Sequence, residues 1–221
     1  MKPQEILLNT QLKKLIDEEQ SDEHVGSSVD TPMRSDAFEV SDDKKIEIIS
    51  GHFRAIMETL GLDLTDDSLN GTPNRVAKMY VKEVFSGLNP ENKPKATLFE
   101  NKFKYDEMIV EKDITFYSHC EHHFVPIYGK AHVAYVSTGK VIGLSKMNRI
   151  VQYYAKRPQV QERLTMQVGE ELKKVLNTEH VAVVMDANCL LYTSDAADDN
   201  RVVGGAGGGL GGGGGGGGGG G

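Results

Sequence analysis

"GLSKMNRIVQYYAKRPQVQERLT", residues 143–165, reads as two helices split by a proline. The first opens at Ser145. Pro158 breaks it, because its ring removes an amide donor and crowds the preceding turn. The second helix covers 159–176. "HVAVVMDA" at 180–187 comes next as a strand of the buried type. Upstream, "DEMIVEKDITFY" (106–117) and "VPIYGKAHVAYVS" (125–137) alternate and are β-branched enough for strands. Further upstream, "SDDKKIEIISGHFRAIMETLGL" begins near Ser41 with a cap-like Ser/Asp. It places Ile46, Ile49, Phe53, Ile56, Met57 and Leu60 at helical spacing and ends at Gly61. In "TPNRVAKMYVKEVFSGL" Thr72 caps a second helix, Pro73 takes its first turn and Gly87 stops it. The order α, α, β, β, α, α, β predicts an α+β fold with helices clustered against an antiparallel sheet.

The 221 residues suit one domain with extensions, and 38% hydrophobic with 26% charged residues suits a globular protein. No apolar run approaches the ~20 residues of a membrane span, and the N-terminus lacks a signal-peptide core. The expectation is a cytoplasmic protein without a membrane partner. The net charge of −7 is uneven. Residues 1–43 hold four basic and eleven acidic side chains, whereas 44–194 hold twenty basic and eighteen acidic. Residues 1–43 therefore read as a mobile acidic tail, with a short helix over 4–19. The near-neutral remainder lacks the basic stripe of a nucleic-acid binder, but could gather cations around a small anion.

"SHCEHHFVPI" (118–127) carries the chemistry. Thiolate and imidazole are preferred Zn2+ donors. Cys120 and His123 are three apart, so a turn could bring both onto one ion, with His122 directed elsewhere for proton transfer. His119 competes as a ligand. A third ligand must come from a distant segment, and three protein ligands would leave a position for water. His52, His132 and His180 stand alone and read as ordinary surface or core histidines. With two cysteines, Cys120 and Cys189, the chain has no disulfide framework.

"CEHHF", "GLSKMNRIVQYYAKRPQVQERLT" and "TPNRVAKMYVKEVFSGL" together closely resemble GTP cyclohydrolase I over about 44–188. The resemblance implies the tunnelling fold, a two-layer α+β unit whose sheets join across subunits into a barrel. It also implies a toroidal homodecamer with interface sites, and conversion of GTP and water to formate and 7,8-dihydroneopterin triphosphate. Residue by residue, it implies Zn2+ on Cys120 and His123, and acid–base work by His122, whose residue type titrates near neutrality. Glu162 matches the guanine anchor, where a carboxylate accepts from both N1–H and the 2-amino group, with Gln161 beside it. Lys146 and Arg149 match triphosphate contacts, as do Arg75 and Lys78, and Ser145 matches a residue near the ribose. Alternatives are another tunnelling-fold enzyme handling pterins or deazapurines, and a non-catalytic nucleotide-binding protein.

The sequence departs from the family after its last core strand. There the family carries "D-A-x-H-x-C", then a basic residue and Arg-Gly; its histidine is catalytic and its cysteine is the third zinc ligand. This chain reads "MDANCLLYTSDAADDN", so the histidine position holds Cys189 and the cysteine position Leu191. Cys189 lies two residues early, ~6.6 Å along a strand. "CLLYTSDAAD" (189–198) back-translates to TGT CTC TTA TAC ACA TCT GAC GCT GCC GAC, the end of a transposon sequencing adapter read in frame. From Gly204 the chain is sixteen glycines, one Ala and one Leu, as a poly-G sequencing signal would be translated. The expectation is a catalytic unit over 44–188, a disordered artefactual tail over 189–221, and no activity in the chain as written.

Overall fold

The structure is a computed structural model that describes residues 28–102 and 107–190, and the backbone of 202–206. The helix expected over 4–19 lies outside the described residues. Helix α1 (Asp42–Thr59) starts where the cap signal stands, with the Ser41 hydroxyl accepting from the Lys44 amide at 3.3 Å. It stops as the sequence expects. Gly61 takes φ +81°, and the Leu62 amide reaches back to the Met57 carbonyl at 3.1 Å, closing a left-handed helix end. A short α2 (Asp67–Asn70) precedes α3 (Thr72–Met79). Here the cap shifts by one residue: Gly71 is the N-cap, and the Thr72 hydroxyl accepts from Arg75 instead. The helix then widens into a π-turn over Tyr80–Val84 and tightens into a 3₁₀ turn over Ser86–Leu88.

Strands β1 (Leu98–Glu100), β2 (Met108–Cys120), β3 (Pro126–Val136) and β4 (Lys140–Ile142) come next, then helix α4 (Leu144–Ala155). Strand β5 (Pro158–Gln159), helix α5 (Gln161–Leu176) and strands β6 (Val181–Cys189) and β7 (Val202–Ala206) complete the described chain. The main sheet runs β5-β2-β3-β6-β7; β5 joins β2 in parallel and the other pairs are antiparallel, while β1 and β4 pair separately. This is the expected α+β architecture. Alternation aims Ile114, Phe116, Ala131, Val133, Val183 and Met185 at one face, where α4 contributes Met147, Ile150 and Val151 and α5 contributes Leu164, Val168 and Leu172. On the other face Tyr117 and Tyr128 stay exposed. The β2–β3 register shifts between Glu111 and Ile114, where Asp113 takes φ +61° and its amide donates to His132 Nδ1. That bulge turns the Ile114–Cys120 half of β2 into its buried phase.

At both chain ends the described residues make contacts that composition does not signal. Sequence pattern starts the order near Ser41, yet residues 28–31 already lie on the domain, with the carbonyls of Ser28 and Val29 accepting from Arg163 and Gln167. Composition makes everything from 189 disordered, yet Cys189 completes β6 and Val202–Ala206 pairs antiparallel with that strand. A ladder is made by backbone groups alone, so a strand edge can pair with a glycine-containing segment despite its low strand propensity. The polyglycine from 207 lies outside the described residues.

Candidate active site

Cys120 ends β2, and the turn through Glu121–His123 closes on β3. The Cys120 amide donates to the Val125 carbonyl at 2.9 Å, and the Phe124 amide to the Cys120 carbonyl at 2.8 Å, with Phe124 at φ +56°. This tight reversal folds both imidazoles over the buried thiol. His122 Nδ1 lies 3.8 Å from Cys120 Sγ and His123 Nδ1 3.9 Å from it. Spacing alone directs only His123 at the thiol; instead the two imidazoles are nearly equidistant from it. His119 is turned away, edge-on to Phe85 at 5.5 Å, and burial lowers its pKa below the usual imidazole value. His132 accepts the Asp113 amide at the bulge, and His52 and His180 are exposed.

The donor chemistry and spacing suit zinc. With Zn–S about 2.3 Å and Zn–N about 2.0–2.1 Å, a tetrahedral ion separates sulfur from nitrogen by roughly 3.6 Å, which both His122 at 3.8 Å and His123 at 3.9 Å approach. The described residues contain no group of three His, Cys, Asp or Glu able to hold a metal. Cys189 pairs with Ile127, two positions along the chain from Val125, the residue bonded to Cys120.

The α5 residues reach the same end of the sheet. Strand β5 pairs Pro158 with His119 and Gln159 with Cys120. Glu162 stands three residues after Gln159, exposed in the first turn of α5. The Gln161 side chain donates to the Met185 carbonyl at 3.0 Å, anchoring the helix start on β6. Arg163, for which the sequence gives no site signal of its own, is 2% exposed and grips both oxygens of Glu121. An indirect signal was present: Arg163, Gln167 and Glu171 form a polar i, i+4 row, and all three are buried.

Ser145, Lys146 and Arg149 occupy the first turns of α4, at the other end of β2. Asn148 bonds Glu111, nine positions before Cys120. At ~3.3 Å per residue that separation is roughly 25–30 Å, allowing for the bulge. Within one protomer, then, these three residues are not beside the Cys120 turn. Arg149 instead lines a pocket of about 320 Å³ with Lys156 and Tyr153. Arg75 braces its own helix start, donating to the Ser68 carbonyl at 3.1 Å and the Thr72 hydroxyl at 2.8 Å; Lys78 is exposed one turn on. A pocket of about 940 Å³ lies between 32–49 and 80–91 with Phe124 at its edge, and none of the candidate site residues lines it.

Similarity to known proteins agrees with the motifs. The family model for GTP cyclohydrolase I matches residues 49–204. GTP cyclohydrolase 1 of Flavobacterium johnsoniae is 61% identical over 182 residues, 82% of each chain. The Aeromonas salmonicida protein of that name is 59% identical over 159 residues, 72% of each chain. One from Escherichia coli O139:H28 is 55% identical over 163 residues, 74% of this chain and 73% of that one. With this match running over most of its length, the chain belongs to the GTP cyclohydrolase I family.

Proposed function

We propose that the catalytic unit of this chain is a zinc-dependent GTP cyclohydrolase, converting GTP and water to formate and 7,8-dihydroneopterin triphosphate at the head of pterin and folate synthesis. The observation that carries the reading is the turn that sets the His122 and His123 imidazoles within 3.9 Å of the Cys120 sulfur, at the sheet end where α5 presents Glu162. Cys120 and His123 would hold Zn2+ with one further ligand, and the bound ion would supply hydroxide at neutral pH by lowering the pKa of water. His122 exchanges protons with the imidazole nitrogens of guanine as its five-membered ring opens and C8 leaves as formate. The Glu162 carboxylate takes the N1–H and 2-amino donors, with Gln161 holding the helix start that carries it.

Lys146 and Arg149, with Arg75 and Lys78, neutralise the triphosphate, and Ser145 meets the ribose. The start of α4 at the Glu111 end of β2, away from the Cys120 turn, supports a site built from neighbouring subunits, as in the homodecamer that the resemblance implies. No described helix is long and apolar enough to cross a membrane, in keeping with a cytoplasmic enzyme.

The third ligand belongs at position 191. The β3–β6 pairing sets Cys189 opposite Ile127, and the Leu190 amide donates to the Pro126 carbonyl. By the resemblance, the family's third ligand aligns with position 191, which this chain fills with leucine. A leucine there favours, for the chain as written, nucleotide binding without turnover. A chain restored after Asn188 to the family's His-x-Cys, basic residue and Arg-Gly tests the roles. In it His122→Ala should keep zinc near stoichiometric and abolish ring opening, whereas His123→Ala should lose the metal. Equal zinc loss in the two variants contradicts the assignment.

A further inference from the structure

A buried guanidinium is costly unless its charge is matched and its N–H donors are used. Arg163 meets both conditions through partners on two sides. Nη1 and Nη2 grip Glu121, the second at 3.2 Å, while Nε donates backwards to the Ser28 carbonyl at 2.7 Å. Glu121 is the residue between Cys120 and His122. Its Oε1 lies 3.8 Å from His122 Nε2, and its amide donates to the Gln159 carbonyl at 3.0 Å. Behind Arg163, residues 28–31 run as a strap over the same surface. Gln167 Nε2 donates to the Val29 carbonyl at 3.2 Å, and Arg157 Nη1 lies 3.5 Å from the Thr31 hydroxyl. Gln167 is itself tied to the buried Gln159, whose position pairs with Cys120.

We infer that Arg163 is a positioning residue: backed by the strap of residues 28–31, it holds Glu121 and so fixes the turn that carries Cys120, His122 and His123. Glu121 makes two fixed attachments, its carboxylate to α5 and its amide to β5, so the turn's backbone and one side chain are held independently. A bidentate arginine fixes direction as well as distance, which a lysine cannot do. The strap gives the acidic N-terminal segment a structural link to the reaction centre, because it engages the Arg163 Nε that Glu121 leaves unused. The inference rests on reading this turn as the reaction centre. Cysteine alkylation reports on the clamp whether or not GTP is turned over.

The experiment uses the full chain and the alkylation rates of its two cysteines under native conditions, read peptide by peptide by mass spectrometry. Cys120 is buried and reports the turn; Cys189 is exposed and serves as the internal reference. Arg163→Met and Glu121→Gln should each raise the Cys120 rate by about tenfold through local opening. Arg163→Lys should fall between these variants and the unmodified chain, and Cys189 should not change. Amide exchange adds direction. Arg163→Met should speed exchange both in 28–32 and in 119–124, while Glu121→Gln should speed it only in 119–124. An unchanged Cys120 rate in Glu121→Gln overturns the inference, and that variant decides if Arg163→Met fails to fold. A rise shared equally by Cys120 and amides throughout the core also overturns it, since that marks general loosening.

Discussion

Glu162 stands exposed at the head of α5, beside the buried Arg163. Its carboxylate is therefore available to a ligand, while its neighbour is committed to the fold. Glu162→Gln presents one acceptor and one donor where guanine offers two donors. In the restored chain it should weaken GTP binding by roughly 1–3 kcal/mol, the cost of an unpaired buried polar edge. Titration calorimetry measures this directly, and unchanged affinity rules out the anchor. Glu111 offers a test of a different kind. Its Oε2 is buried without a partner, and desolvation raises its pKa above the usual carboxylate value, against the lowering by Asn148. A raised acid favours the folded state when protonated, so its contribution is present below about pH 4.5 and lost as pH rises through the folded pKa. Glu111→Gln should thus stabilise the protein at neutral pH, and the gain should fade as pH falls towards 4.5. Urea unfolding at several pH values checks the sign.

Side chain by side chain, the sequence reveals reactive groups better than it reveals their supports. The Cys120, His122 and His123 cluster is legible because four residues on one turn must be neighbours. Arg163 and Glu121 are 42 residues apart, and no local pattern links them. Only the polar row on an otherwise apolar helix face hints that Arg163 is buried. The direction of His122 was also beyond spacing, since the Phe124 backbone conformation decides how tightly the turn closes.

Among the elements, the helices and long strands follow from periodicity, caps and prolines. β5 does not: two residues after a helix carry no strand signal, yet they align α5 with the Cys120 turn. The π-turn after α3 is also invisible in a sequence that continues in helical phase. It delivers Gly87 against the end of α4, where the Gly87 amide donates to the Lys156 carbonyl at 2.9 Å and Arg157 Nε donates back to the Gly87 carbonyl at 2.9 Å. A Cβ at 87 would stand 2.0 Å from the Tyr153 carbonyl oxygen and 2.8 Å from that of Lys156. Both obstacles are backbone, so Gly87→Ala must push this segment off α4. It should cost about 1–3 kcal/mol, the usual penalty of overpacking. A urea midpoint equal to that of the unmodified chain contradicts this contact.

For the whole molecule, the fold class was legible and the composition of one site was not. The sequence places Ser145, Lys146, Arg149, Glu162 and Cys120 within fifty residues, but α4 starts against the Glu111 end of β2, and Cys120 closes the other end of that strand. On the function proposed above, assembly reunites them, and the active site is then a property of the oligomer. In the restored chain, Cys120→Ala and Lys146→Ala should each be nearly inactive alone. Mixed and reassembled, they should regain a substantial part of the activity, because some interfaces then receive both intact halves. Absence of any recovery argues that one protomer holds the whole site.

On this reading, residues up to Asn188 supply the framework of a working GTP cyclohydrolase, and the segment from Cys189 onward lacks its third zinc ligand and second histidine. A proton-transfer group alone is worth about 10²–10⁴-fold in rate. The decisive experiment is formate release from GTP, with oxidised neopterin fluorescence alongside, by the chain as written and by the chain restored after Asn188. Turnover is expected only in the restored chain, together with tightly held zinc. Robust turnover by the chain as written, or a restored chain that binds zinc and assembles but releases no formate, is incompatible with it.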